Sequence, residues 1–510
     1  MRGPPREANS KDVDWQRYHL RLGFTVKSVW ARLTQEQCGQ LHNASLEILE
    51  RTGVRLFNDE ALSLVRKAGA TISDGNRVRL PAHLVEQALS TVPKTSTLFD
   101  RNGRPALPLE GANFFFGPGS DCLNIIDHRT GERRRPVLQD VVEAVRVCDA
   151  LNEMSFVMSM FLPTDVRQDI ADRYQLEVML HNTTKPIVFV TYETSGCVDA
   201  IAMAEAVAGG AEALREKPFV TCYINVTTGL LHNADALEKL LFLAGKGLPA
   251  LYIPVVSGGT TGPVTMAGCL ALSNAGVLVG LVISQLKREG SPVVIPGFGG
   301  DALDLRTMVD PYCGPDPLGM SQALAHFYQL PMFSLGGASE SKVVDQQAGI
   351  EAALNMLASA VCGGHIVHDC GYLESGLTGS LAQLAICNEV ASWIRHACQP
   401  VEISAETLAL DLIDEVGPDG QFLKLPHTRR HMRERWYPIL FDRDSYNGWL
   451  AKSGKTLAER AAKQVSQILA THHCEPLSPA AAKAIRRVVL RAEAQVGSEP
   501  LAPVSGGTYA

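Results

Sequence analysis

Between Ala112 and Cys398 the chain repeats one pattern: a short β-branched or aromatic run, a loop rich in Gly, Ser and Asn, then a segment of helical hydrophobic period. The pattern recurs eight times. Its strand-like runs are Ala112 to Phe116, Ser155 to Met160, Pro186 to Tyr192, Pro218 to Asn225, Ala250 to Ser257, Pro292 to Gly297, Pro331 to Leu335 and His365 to Cys370. Pro186, Pro218, Pro292 and Pro331 each open a run, where the missing N–H costs least. Runs apolar on both faces that alternate with helices imply a parallel sheet, because right-handed crossovers cover both faces. Eight such units predict an α/β fold, a closed (β/α)8 TIM barrel, with an open doubly wound sheet as the competing arrangement.

At 510 residues the chain exceeds one ordinary core, so extensions to the barrel are expected. The reading is a flexible tail at 1–14, an N-terminal α+β lead-in packed on the barrel at 15–111, the barrel at 112–398, a C-terminal helical extension at 399–498, and a second flexible tail at 499–510. Net charge is -7 and charged residues make up 20%, which leaves no broad basic field and argues against nucleic acid. The cluster Arg133, Arg134, Arg135 reads as a solvated turn or a docking rim. Ala267 to Leu286 is the stretch nearest to a membrane span, but Ser273, Asn274, Ser284 and Gln285 interrupt it, so no membrane association is expected. With no leader pattern at the start and scattered cysteines, a cytoplasmic protein with reduced thiols is expected.

In such a barrel the functional positions are the last residues of each strand and the loop that follows. Aromatic residues recur there: Phe116, Tyr192, Tyr223 and Phe298 could converge on one mouth, and an aromatic cage is one way to hold a quaternary ammonium. Asn225 ends the fourth run beside Tyr223. Gly258 and Gly337 lie in loops whose backbone N–H groups could hold an anion, although neither loop has a P-loop ending or a dinucleotide fingerprint. His368 and Asp369 close the last strand and are the candidates for hydrogen bonding or acid/base work. Cys362, His365, His368, Asp369 and Cys370 are metal-ligand types at close spacing, but strand alternation points His365 and His368 to opposite faces, so no metal is expected there.

Four stretches carry a resemblance: GFTVKSVWARLTQEQCGQLHNASLEILERTGVRL, NFFFGPGSDCLNIIDHRTGERR, SLGGASESKVVDQQAGIEAAL and ETLALDLIDEVGPDGQFL. In these the chain resembles the trimethylamine methyltransferase family of corrinoid-dependent methyltransferases, over nearly its whole length. The resemblance implies a TIM barrel and a methyl transfer from a methylated amine to the cobalt of a corrinoid (cobalamin) held by a separate small protein, with no cofactor bound tightly by this chain. Archaeal trimethylamine enzymes carry pyrrolysine in the segment that here reads Ser341, Lys342, Val343, Val344. Relatives with ordinary residues there look like demethylases of quaternary amines such as glycine betaine, which makes that class the expected substrate. Phe116, Tyr192, Tyr223, Asn225, Gly258, Phe298, Gly337, Lys342 and His365 are then the expected substrate-binding residues, and His368 and Asp369 the catalytic ones. No Asp-x-His-x-x-Gly corrinoid signature occurs, since Asp127 directly precedes His128, so the cobalt must come on a partner. A homo-oligomer is expected. The competing readings are a zinc-dependent methyltransferase built on Cys362 to Cys370 and a noncatalytic barrel that binds a quaternary amine.

Overall fold

The computed structural model describes residues 29–497 and Leu501; both expected tails lie almost wholly outside them. Seven parallel strands form one curled sheet: β1 (Phe115–Pro118), β2 (Ile187–Val190), β3 (Val220–Val226), β4 (Ala250–Pro254), β5 (Val293–Pro296), β6 (Met332–Leu335) and β7 (Ile366–Cys370). Their spatial order runs β2, β3, β4, β5, β6, β7, β1, with each strand beside its neighbour in sequence except at the ends. The gap between β1 and β2 is closed by an irregular extended segment at 154–157. Phe116 pairs with Met154 and Val157 with Ile187, both in the parallel sense. Ser155 N–H donates to the Phe116 carbonyl at 2.6 Å, and Val188 N–H to Val157 at 2.9 Å. Those bonds complete a ring of eight units, so the protein is an α/β TIM barrel and not an open sheet.

The barrel interior is filled rather than hollow. Phe115, Phe156, Val188, Leu251, Ile253, Val294, Phe333 and Ile366 form one buried cluster. Leu98, Leu107 and Leu109 belong to it as well. They come from the antiparallel hairpin Ser96–Phe99 and Pro105–Leu109. Phe99 N–H donates to the Pro218 carbonyl and Arg101 N–H to Thr184, each at 2.8 Å, just ahead of β3 and β2. The hairpin therefore plugs the amino-terminal foot, leaving the carboxyl-terminal mouth as the open end. A further lead-in strand, Val54–Leu56, pairs in parallel with Leu231–His232 from the loop after β3.

Outside the ring, alternate strand residues such as Phe116, Cys222, Ile224 and Val367 face the helices. Helix Met266–Lys287 is long and apolar enough to cross a membrane, yet 78% of its most apolar window is buried in the fold. It lies on the barrel because Gly280 leaves room for Tyr252, whose ring a Cβ at that position would overlap. At the C-terminal side, Leu457–Thr471 starts from a Thr456 capping box and packs on Leu381–Ala397, while Pro479–Gln495 packs on Thr194–Ala208. Above the mouth, Asn124–Ile126, Arg133–Arg134, Tyr372–Leu373 and Thr378–Gly379 make a small sheet from the loops after β1 and β7. Two of the three clustered arginines are consumed there: Arg134 pairs with Asp127 and Asp140, and Arg133 with Glu374.

Candidate active site at the barrel mouth

Strand alternation fixes what reaches the mouth. On β3, Cys222 and Ile224 pack outward, so Tyr223 and Asn225 point inward. Asn225 is exposed although it sits within a strand covered by helices, which is only possible toward the open end. The same parity carries Tyr192 after β2 and Val255 after β4 to the rim, where each is 42% exposed. Phe298 follows β5 in the same sense and packs with the interior cluster.

β7 breaks the alternation. Between β7 and β1 the register runs Val367 to Phe116 and then Cys370 to Pro118, so one extra residue is accommodated on β7. Asp369 absorbs it with a φ of 83°, a left-handed conformation that a non-glycine residue holds only where its surroundings impose it. The bulge turns Asp369 to the side occupied by His368, and their side chains meet, Nε2 to Oδ1, at 3.4 Å. A Cβ on Gly119 would overlap both the Asp369 carboxyl and the Tyr372 ring, so the loop after β1 closes tightly over this pair.

Aromatic rings surround it. Phe333 stacks on His368 with ring centroids 3.9 Å apart and 23° between planes. Tyr223 lies 5.4 Å from Phe333 and 6.4 Å from His368, and Phe298 lies 5.6 Å from His368. His368 Nδ1–H donates to the Ser334 carbonyl at 2.7 Å, which leaves Nε2 as the acceptor facing Asp369. Burial pushes the imidazole pKa down to about 4, so the ring is neutral near pH 7. Burial also holds the Asp369 carboxyl well above the usual carboxylate range. Both shifts favour a neutral pair over an ion pair.

More carboxyls line the same end. Asp121, after β1, is pushed up to about 6 by burial, against a 2.8 Å hydrogen bond from Gln175 and with Asp172 adding to the rise. Asp301, after β5, is raised to about 7 by burial and then by Asp310. Tyr312 and Tyr372 have hydroxyls held protonated chiefly by burial, with Asp369 adding to the effect on each. The Tyr372 hydroxyl donates to the Ser120 carbonyl. The mouth end thus gathers aromatic and acidic side chains, a combination suited to a cation.

Of the residues expected from sequence, Tyr223, Phe298, His368 and Asp369 come together, Asn225 faces the same opening and Tyr192 stands at its rim. Phe116 does not join them: β1 sends Phe115 inward and Phe116 outward, where its ring packs edge-on against Phe114 at 5.6 Å. His365 precedes β7 at the foot, with Nδ1 accepting from Met332 N–H and Nε2 donating to the Gly111 carbonyl. Gly258 and Gly337 cannot offer their N–H groups to an anion. Gly258 donates to the Asp301 carbonyl at 2.7 Å, and Gly337 donates to Asn355 Oδ1. Lys342 is exposed and its ammonium donates to the Glu340 carbonyl at 2.7 Å.

The proposed zinc ligands also diverge, since Cys362 caps helix Gln346–Val361, Cys370 packs outward and His365 is at the foot. Among the described residues, the metal-ligand types that do cluster are Glu406, His427 and His431 in the C-terminal extension, where Arg430 already bonds Glu406 at 2.8 Å. Sequence reasoning missed Phe333, Tyr312, Tyr372, Asp121 and Asp301. Phe333 sits mid-strand, and the others lie after β1, β5 and β7 in segments where hydrophobic periodicity says nothing of which way a side chain points.

The trimethylamine methyltransferase (MTTB) family model matches residues 6–497. Trimethylamine methyltransferase MttB of Desulfitobacterium hafniense (strain DSM 10664 / DCB-2) is 33% identical over 92% of this chain and 95% of its own. Glycine betaine methyltransferase of Desulfitobacterium hafniense (strain Y51) is 30% identical over 92% of this chain and 98% of its own. Among solved structures, the Methanosarcina barkeri monomethylamine methyltransferase MtmB is similar at a TM-score of 0.47 and 12% identity, over 89% of this chain and 91% of that one. The chain is a methyltransferase and belongs to the trimethylamine methyltransferase family.

Proposed function

We propose that the protein moves a methyl group from a quaternary ammonium to the cobalt of a corrinoid carried by a separate small protein. The observation that carries the reading is a buried His368 and Asp369 pair set among the rings of Tyr223, Phe298 and Phe333 at the open end of the barrel. Aromatic faces attract a methylated ammonium through their quadrupoles, and a nearby carboxyl supplies the opposite charge. The resemblance to corrinoid-dependent methyltransferases supports the choice of acceptor, and the reduced cobalt, when presented, supplies a strong nucleophile for the methyl carbon.

The chain's own part is positional. Tyr223 and Phe298 fix the cation with one methyl directed to the mouth, while Phe333 stacks beneath His368 and holds it in place, which makes the transfer effectively unimolecular once the acceptor docks. The leaving group is a neutral tertiary amine, so His368 and Asp369 have no proton to deliver in the transfer. Charge on nitrogen disappears as the methyl leaves, and a recess that excludes water favours that change. Exposed apolar side chains on the loop after β5, Leu305 and Met308 at 68% each, offer a surface against which a flat macrocycle's carrier could seat. Glycine betaine is among the amines to test because a relative is a glycine betaine methyltransferase. Incubating the protein with a Co(I) corrinoid carrier and tetramethylammonium, choline or glycine betaine is expected to release the corresponding tertiary amine, read by mass spectrometry. No amine product from any of the three overturns the reading.

A further inference from the structure

The mouth offers an ammonium group more than it offers a zwitterion. Every anion-binding group foreseen for a substrate carboxylate is occupied: the N–H groups of Gly258 and Gly337 are bonded within the protein, and His368 directs Nδ1–H to Ser334. Among the described residues, no hydrogen bond or ion pair joins Asp121, Asp301 or Asp369 to a lysine or arginine. Asp121 bonds Gln175, and Asp369 has His368. A substrate carboxylate brought to this end of the barrel would be desolvated with no lysine or arginine to pair with it, at low local dielectric.

Asp369 is the deepest of these groups, 2% exposed. The titratable and charged groups that face it are His368 and Cys370 on β7, Tyr223 on β3, Cys122 in the loop after β1, Tyr312 and Cys313 in the loop after β5, and Tyr372 beyond β7. None of them is a cation at neutral pH. A carboxyl so enclosed stays protonated until a positive charge arrives, because an unpaired buried anion costs more than the proton it keeps.

We propose that this site, read as an ammonium site above, selects cations that carry no carboxylate, and that binding displaces one proton from Asp369 to solvent. The proton balance is simple: a neutral carboxyl and a free cation become a carboxylate and ammonium pair, and one proton enters the buffer. Calorimetric titration of the full-length protein with choline, in two buffers of different ionisation enthalpy, reads that proton directly. Expected are release of about one proton per choline, an affinity rising about tenfold per pH unit while the carboxyl is still protonated, and glycine betaine binding about tenfold or more weaker than choline. Asp369→Asn, of equal size, is expected to abolish proton release and weaken choline about tenfold or more. If that variant fails to fold, the two-buffer comparison on the unaltered protein still decides. Choline bound without proton release, or glycine betaine bound as tightly as choline, overturns the inference while leaving the methyl transfer reading in place. Binding of neither compound, nor of tetramethylammonium, overturns both.

Discussion

Replacing Tyr223 by leucine removes one ring face from the site while keeping a shorter apolar side chain in its place. Tyr223 points inward from β3, 5.4 Å from Phe333 and 6.4 Å from His368, and burial, with Asp369 adding to it, keeps its hydroxyl protonated. A cation held against a desolvated aromatic face gains about 2 kcal/mol from it. At about 1.4 kcal/mol per factor of ten, that loss weakens choline binding about thirtyfold. The neutral carbon isostere of choline, 3,3-dimethylbutan-1-ol, has the same shape without the charge, so its weaker binding should change by no more than about threefold. Calorimetry or ligand-observed NMR on the two compounds gives both numbers. Equal losses for choline and its isostere would show that Tyr223 contributes packing only, and the cation reading of the aromatic cluster would fail.

Phe333→Ala empties a fully buried position under His368 and is expected to lower stability by about 3–5 kcal/mol in urea unfolding, with Phe333→Leu well under half of that. Lys342→Ala should leave choline affinity within about twofold, because the ammonium is exposed and bonded to a neighbouring carbonyl; a tenfold loss would place it in the site after all. His365 is held neutral by burial, with its pKa pushed down to about 4 from 6.5. The unfolded chain therefore binds the extra proton first, so the stabilisation this residue provides is complete above pH 6.5 and disappears as pH falls toward 4, about 3 kcal/mol in all. His365→Asn should accordingly be less stable than the parent at pH 7 by a margin that narrows by pH 5 in urea midpoints, and a margin independent of pH would contradict the shift.

The ring itself was legible because its signals are local. Prolines mark strand starts: Pro186, Pro292 and Pro331 stand immediately before β2, β5 and β6, and Pro218 two residues before β3. The unit at Ser155 to Met160 was also found, though it realises only bridge-type pairing. Which face a residue takes was less secure. Phe114, Phe115 and Phe116 are identical neighbours, so composition gives no parity, and a one-residue shift sent Phe116 to the helices. The bulge at Asp369 is invisible in sequence because no glycine marks its positive φ. Alternation alone would have placed Asp369 opposite His368, away from the mouth. Gly258 and Gly337 look available in a linear reading because their acceptors, Asp301 and Asn355, lie 43 and 18 residues further along the chain. Phe333 is not legible for a related reason: it is a mid-strand ring, and it reaches the site only by stacking on His368.

A crystal structure of the protein soaked with tetramethylammonium puts the central claim to its most direct test. The account places the nitrogen within about 6 Å of the ring centroids of Tyr223 and Phe298, on the mouth side of Phe333 and His368, with Asp369 its nearest carboxylate. A cation seated elsewhere, for example at the Glu406 and His431 pair of the C-terminal extension, with the barrel mouth holding only water, would contradict it.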